Sequence, residues 1–217
     1  MNARHLSTTA EHGSPPHIIE GGRNLMGGVI HCDPASSAFW NRRVHAEVYY
    51  DKRANGLDPR RRWFGNVFLN PPGDASGGLV QAFWMRLVNE WLLGNVVQAV
   101  WVGFSVGQFV TLQGLPQDDW WPIALPPPLA FPTVIPARRF AYRKRVNRHR
   151  SRRAANPPHA SYVTWLPPRN MYWPITTASG RKLLLADAVY TERTQTMFTN
   201  HFGYLGTIAQ SIAVEAA

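Results

Sequence analysis

A single cysteine, Cys32, is all that the 217 residues contain. It cannot close an intramolecular disulfide or supply a thiolate cluster for zinc, and it points to a reducing, cytoplasmic compartment. Acidic residues are also scarce. Thirteen Asp and Glu stand against 23 Lys and Arg, giving a net charge of +10, an excess that favours a polyanionic partner. No uninterrupted apolar span of membrane length and no basic amphipathic helix is present, so nucleic acid is favoured over a membrane surface. Nowhere does a full Gly-x-Gly-x-x-Gly run open a helix, which argues against a nicotinamide dinucleotide. His5, His12, His17 and His31 are scattered without a metal-ligand spacing, so no metal is expected. Residues 1–13 lack the apolar centre of a secretory signal and read as a disordered N-terminal tail.

What is present suits one domain over residues 14–217: 45% of the chain is hydrophobic and only 17% charged, enough apolar material for a sizeable core. The stretch that organises the rest is Gly65 to Gly73, Gly-Asn-Val-Phe-Leu-Asn-Pro-Pro-Gly. An apolar, β-branched and aromatic run stops on Asn70, Pro71 and Pro72, the pattern of a buried strand ending in a rigid loop. Open α/β sheets bind ligands outside the carboxyl ends of their strands, and two prolines hold a carbonyl in a fixed direction.

Around this stretch strands and helices alternate. Pro15 opens a helix that runs to Gly27-Gly28. A strand over Val29 to Cys32 follows, with Asp33-Pro34-Ala35-Ser36 at its tip, and then a helix from Ser37 to Glu47 that Asp33 or Ser36 could cap. Val48 to Asp51 reads as a second strand whose terminal acid, Asp51, either binds ribose hydroxyls or is a solvated loop acid. Lys52 to Arg62 is a polar loop with turn signals. Beyond a flexible loop at Asp74 to Gly78, two stripes, Leu79, Phe83, Leu87, Trp91 and Val80, Trp84, Val88, Leu92, mark a helix ended by Gly94. Trp84 and Trp91 read as core. Val96 to Phe104 is a parallel strand covered on both faces. The fold class expected is α/β, a Rossmann-like doubly wound sheet with helices on both faces.

The later part changes character. Leu115 to Pro136 holds seven prolines and Asp118-Asp119-Trp120-Trp121, which excludes regular structure from most of it, with a short strand at Phe131 to Val134. From Arg138 to Arg153, nine of sixteen residues are Arg or Lys. A run of one sign repels itself unless an anion neutralises it, so Arg138, Arg139, Arg143, Lys144, Arg145, Arg148 and Arg150 are candidates for phosphate contacts, with base readout open to one or two of them. Together, residues 115–158 read as a Pro-rich and basic insertion on the nucleic-acid side. A second Asn-Pro-Pro, at Asn156 to Pro158, precedes a strand over Ala160 to Leu166 instead of following one, and reads as a turn.

The tripeptide at Asn70 resembles the Asn-Pro-Pro-Tyr motif of S-adenosylmethionine-dependent amino-methyltransferases. With Ser14 to Glu20, Met26 to Ser36, Asn41 to Val44, Ala46, Tyr49-Tyr50 and Gly56-Leu57 in order and spacing, the chain is similar to the phage-type DNA N-6-adenine methyltransferase family. The similarity runs from Ser14 to Phe104 and recurs in patches from Phe131 to Gly206, including the Phe198, Phe202, Gly206 spacing, which is expected to pack a sheet edge. It implies a methyltransferase sheet, double-stranded DNA as partner and, for a phage-encoded chain, the host cytoplasm. It implies S-adenosylmethionine near Asp33, Pro34, Ser36 and Asp51, with Asp33 taking hydrogen bonds from the methionine ammonium. It also implies that Asn70, Pro71 and Pro72 hold the exocyclic amine of a flipped adenine. Asn before Pro-Pro leans towards adenine; cytosine or RNA would pose the same chemical problem. The chain departs from the motif at Gly73, where the family has an aromatic that stacks on the base. Trp63, Phe64 or the Trp120-Trp121 loop are substitutes to consider. The alternative is a catalytically impaired DNA-binding protein of the same descent.

Overall fold

The computed structural model describes residues 12–73, 78–113, 127–139, 141–153, 161–169, 172–176, 182–186 and 188–209. Pro15 and Pro16 start helix α1, Pro16–Leu25. It ends where the Gly28 N–H reaches back to the Arg23 carbonyl at 2.8 Å, with Gly27 and Gly28 both at positive φ, a conformation that glycine adopts without strain. Strands β2 (Cys32–Asp33) and β3 (Val48–Tyr49) flank helix α2 (Ala38–Val44), whose N-cap Ser37 Oγ accepts from the Trp40 N–H. Strand β4 (Gly65–Leu69) stops one residue short of Asn70, and α3 (Gly78–Leu92), β5 (Val96–Gly103) and α4 (Val106–Gln113) follow.

Strands β6 (Thr133–Pro136) and β9 (Tyr162–Leu166) and, after α5 (Ala188–Phe202), β12 (Gly206–Ala209) complete a seven-stranded mixed sheet of order β12-β6-β9-β5-β4-β2-β3. The fold is thus mixed α/β. Strands β3, β2, β4 and β5 are mutually parallel; β9 runs against β5, and β6 against β9. The carboxyl end of β6 therefore lies at the same edge as those of β2 to β5. Separately, β10 (Tyr172–Thr176) pairs with β11 (Lys182–Ala186). A ribbon joins β1 (His12–Gly13) to β7 (Arg143–Arg145) and β8 (Ser151–Arg153).

Alternate residues of the central strands face opposite ways, as the pleat requires. Val67, Leu69, Ala99 and Trp101 pack with α3 and α4, and Phe68, Val100 and Val102 with α1 and α5, so helices cover both faces. Trp84 and Trp91 are fully buried, as their stripes indicate, and Trp84 meets Trp101 edge-on at 5.1 Å. Phe198 and Phe202 are buried on the α1 face, beside the edge strand β12. Among the described residues no helix is long and apolar enough to cross a membrane, and no group of three His, Cys, Asp or Glu is placed to hold a metal.

Several boundaries differ from expectation. Helix α2 ends at Val44, not Glu47: His45 turns left-handed (φ 50°), and the Asn41 amide bonds both the N–H and the carbonyl of Ala46. Strand β2 starts only at Cys32. Helix α4 fills a stretch to which the sequence pattern assigned nothing; only Phe109 and Leu112 of it are buried, too few to mark a stripe. Strand β6 is a full member of the main sheet, although it lies inside the Pro-rich stretch. His12 and Gly13, counted with the N-terminal tail, form a strand. The Asp74 to Gly77 loop, Asp118 to Trp121, Phe140 and Asn156 to Pro158 lie outside the described residues.

Candidate functional site

The parallel run fixes the geometry of the site. From β2 the chain passes to β3 on one side; from β4 it passes to β5 on the other. The order reverses between β2 and β4, which are neighbours with Cys32 opposite Val67. Asp33 ends β2 and Asn70 follows β4, so the two sit on adjacent strands at the same edge, about one strand spacing of 4.8 Å apart laterally.

Asn70 is half-buried, and its Nδ2 donates to the His12 carbonyl at 2.8 Å. A carbonyl can only accept, so this contact fixes which way round the amide lies. No described donor reaches the Asn70 Oδ1 or the Pro71 carbonyl. Pro71 is buried and Pro72 half-buried. The corner therefore offers two acceptors on a backbone that Pro71 and Pro72 hold stiff.

Asp33 is buried, at 4% exposure. Its Oδ1 accepts from the Ala35 N–H at 3.2 Å, and burial raises its pKa to about 7. The Ser36 hydroxyl lies near enough to lower that value, yet forms no hydrogen bond of good geometry and is itself buried without a partner among the described residues. Among the described residues no cationic side chain offsets the burial of the carboxylate. Buried carboxylates are ordinarily paired, so Asp33 and Ser36 fit a cationic, hydrogen-bonding group such as an ammonium. Pro34 is buried beneath the 51–62 loop: a Cβ on Gly56 would lie 1.9 Å from the Pro34 oxygen. That loop is tied down by the Arg86 guanidinium, which donates to the carbonyls of Gly56 (3.1 Å) and Asp58 (2.7 Å). Asp51, just past β3, spends one oxygen on the Ala54 N–H at 2.8 Å.

The basic stretch is a β-ribbon whose stem is held by Tyr142, buried, with its hydroxyl donating to the Gly103 carbonyl at the end of β5 (3.2 Å). Lys144 pairs with His12 across β1 and β7, so Asn70 and the ribbon share His12. Helix α2 supports the ribbon's outer side: Arg42 donates to the Arg148 carbonyl at 2.7 Å, and the Arg145 guanidinium lies 4.9 Å from the Phe39 ring centre. Arg143 is engaged with Ser151 Oγ at 2.9 Å, whereas Arg138, Arg139, Arg148 and Arg150 are exposed. A cavity of about 680 Å³ opens between the ribbon and the start of α1, walled by Arg138, Arg139, Arg143 and Arg153 on one side and His17 and Tyr204 on the other. It includes neither Asn70 nor Asp33. Arg153 ends the basic run already singled out, but nothing in the sequence set His17 or Tyr204 beside it, because their meeting depends on the tertiary fold.

Of the substitutes considered for the missing aromatic, Trp63 is a core residue: it is 1% exposed, its Nε1 donates to the Gly56 carbonyl, and its ring stacks on Phe83. Phe64 precedes β4, at the opposite end of that strand from Asn70, beside His31. Trp63 has no free face to offer a base, and Phe64 lies at the far end of β4 from Asn70, so neither ring stands in for the missing aromatic. No protein-family model matches the chain, and neither the curated proteins nor the solved structures include a significant match.

Proposed function

We propose that the chain transfers a methyl group from S-adenosylmethionine to the exocyclic amine of adenine in DNA, with the base flipped to the Asn70-Pro71-Pro72 corner. The observation that carries this reading is the fixed Asn70 amide: its donor is committed to His12, and its acceptor is left for a substrate. An aromatic amine is a poor nucleophile because its lone pair is delocalised into the ring. Asn70 Oδ1 and the Pro71 carbonyl accept its two hydrogens as nitrogen turns tetrahedral, stabilising charge that grows only on the way to the transition state. Transfer would form the N–CH3 bond as the sulfonium's S–CH3 bond breaks with its electron pair left on sulfur. The methylated nitrogen, then a strong acid, would release its extra proton to solvent, so no general base of shifted pKa is needed at this corner.

The Rossmann-like reading of the sheet is supported by the order reversal between β2 and β4, where open α/β sheets bind ligands. Bound S-adenosylmethionine supplies an electrophilic methyl on a sulfonium. Asp33 and Ser36 hold its ammonium end, and Asp51 is available to a ribose. The ribbon arginines grip phosphates and bring the duplex over the corner. Gly73 favours a second reading, DNA binding without transfer, because the motif's own stacking ring is absent.

Expression in a methylation-deficient bacterial host, followed by mapping of modified bases, tests the proposal. N6-methyladenine is expected with the wild-type chain and not with Asn70→Ala. Unmodified DNA from both favours the second reading.

A further inference from the structure

Gly73 removes one aromatic from the corner, and the fold brings another to the same spot. A Cβ built on Gly73 would lie 2.6 Å from Cζ and 3.1 Å from Cε2 of Phe104, inside carbon contact distance. The Phe104 ring therefore covers the face of Gly73 from which a side chain would project. Phe104 follows Gly103 at the carboxyl end of β5, next to β4 and its Asn70 tip. It is only partly buried, and it packs against both hydrophobic clusters, one on each face of the sheet. A ring wedged between two cores at a strand end is held rigidly, and this one stands at the same sheet edge as Asn70 with part of its surface exposed.

We infer that Phe104, not residue 73, is the stacking surface for the unpaired base, and that Gly73 is small so that this ring can close over it. The site takes a purine ring: the flat apolar face binds any base, and the larger purine covers more of it. This inference rests on the reading of the Asn70 corner as a base site but not on methyl transfer. Gly73 and Phe104 form a matched pair in which a side chain at one position excludes the ring at the other.

The test uses the full chain and a single-stranded dA12 carrying one central 2-aminopurine, whose fluorescence is quenched on stacking. Wild-type protein is expected to quench it and to bind more tightly than to dT12. Phe104→Leu should weaken dA12 binding about 5- to 150-fold, the range that about 1 to 3 kcal/mol of stacking gives, and should abolish quenching. Phe104→Tyr should keep both. Should Phe104→Leu fail to fold, Gly73→Phe combined with Phe104→Ala, which returns the ring to the other position, should restore quenching. No quenching by the wild type, or quenching by Phe104→Leu equal to it, overturns the inference. The two proposals fail separately: a wild type that quenches through Phe104 but transfers no methyl group leaves this inference standing while the reading of methyl transfer fails. A wild type that transfers methyl groups but quenches independently of Phe104 sinks this inference alone.

Discussion

Asn70 and His12, 58 positions apart in sequence, are joined by a hydrogen bond of 2.8 Å from the side-chain amide to the backbone carbonyl. This contact fixes the amide at the β4 tip and ties it to the ribbon that carries the arginines. Asn70→Ala is expected to lower methyl transfer by about 10² to 10³, the usual cost of losing one transition-state hydrogen bond. Asn70→Asp keeps an acceptor but sets a carboxylate oxygen against the His12 carbonyl. It should transfer more than Asn70→Ala and show faster amide hydrogen exchange in β1 than wild type. Equal exchange in both chains would contradict the anchoring role.

Asp33 links the proposed function to stability. Its folded-state pKa of about 7 lies above the ordinary 3.8 because the carboxyl is buried. Folding therefore favours the protonated acid: this contribution to stability is whole below pH about 4 and is lost as pH rises through about 7. Asp33→Asn should accordingly raise stability at pH 8 by about 1 to 4 kcal/mol, seen as a melting temperature several degrees higher, with little gain at pH 4. The same change should abolish calorimetric binding of S-adenosylmethionine. Wild-type affinity should fall as pH drops below about 7, when the carboxylate proposed to meet the ammonium is lost.

Gly56→Ala tests the cover over Pro34. Its Cβ would meet the Pro34 carbonyl oxygen at 1.9 Å, backbone against which nothing can rotate away. A loss of about 2 kcal/mol or more in urea unfolding is expected, with weakened S-adenosylmethionine binding. A neutral substitution would show that the 51–62 loop does not hold the Asp33-Pro34 tip.

For the ribbon, the readout is salt dependence. Random-sequence duplex DNA should bind with a logarithmic salt slope that shrinks by up to about 2 on combining Arg138→Ala with Arg150→Ala, since each phosphate contact carries about 0.9. An unchanged slope would take both arginines off the DNA path.

Much of the site could be read from local chemistry. The run Val67-Phe68-Leu69 had to stop at Asn70 because prolines bring no N–H to a ladder, and the stripes through Phe83, Trp84 and Trp91 marked a helix buried on a wide face. What escaped was non-local. The Asn70–His12 bond spans residues that no period or motif connects, and Phe104 looked like the last residue of a buried strand until β5 was placed beside β4. Strand β6 was legible only as a short strand at Phe131 to Val134, two residues early, because Pro132 precedes it, Pro136 ends it, and proline density blurs the bounds of a four-residue strand. His45 shortened α2 through a left-handed backbone that its residue type does not demand.

The most direct measurement is in vitro transfer of tritiated methyl from S-adenosylmethionine to unmethylated duplex DNA, followed by digestion to nucleosides, with Asn70→Ala alongside. Label recovered in N6-methyl-2′-deoxyadenosine from the wild type, and at least a hundredfold less from Asn70→Ala, is the expected result. Wild-type incorporation no higher than that of the variant would contradict transfer at the Asn70 corner.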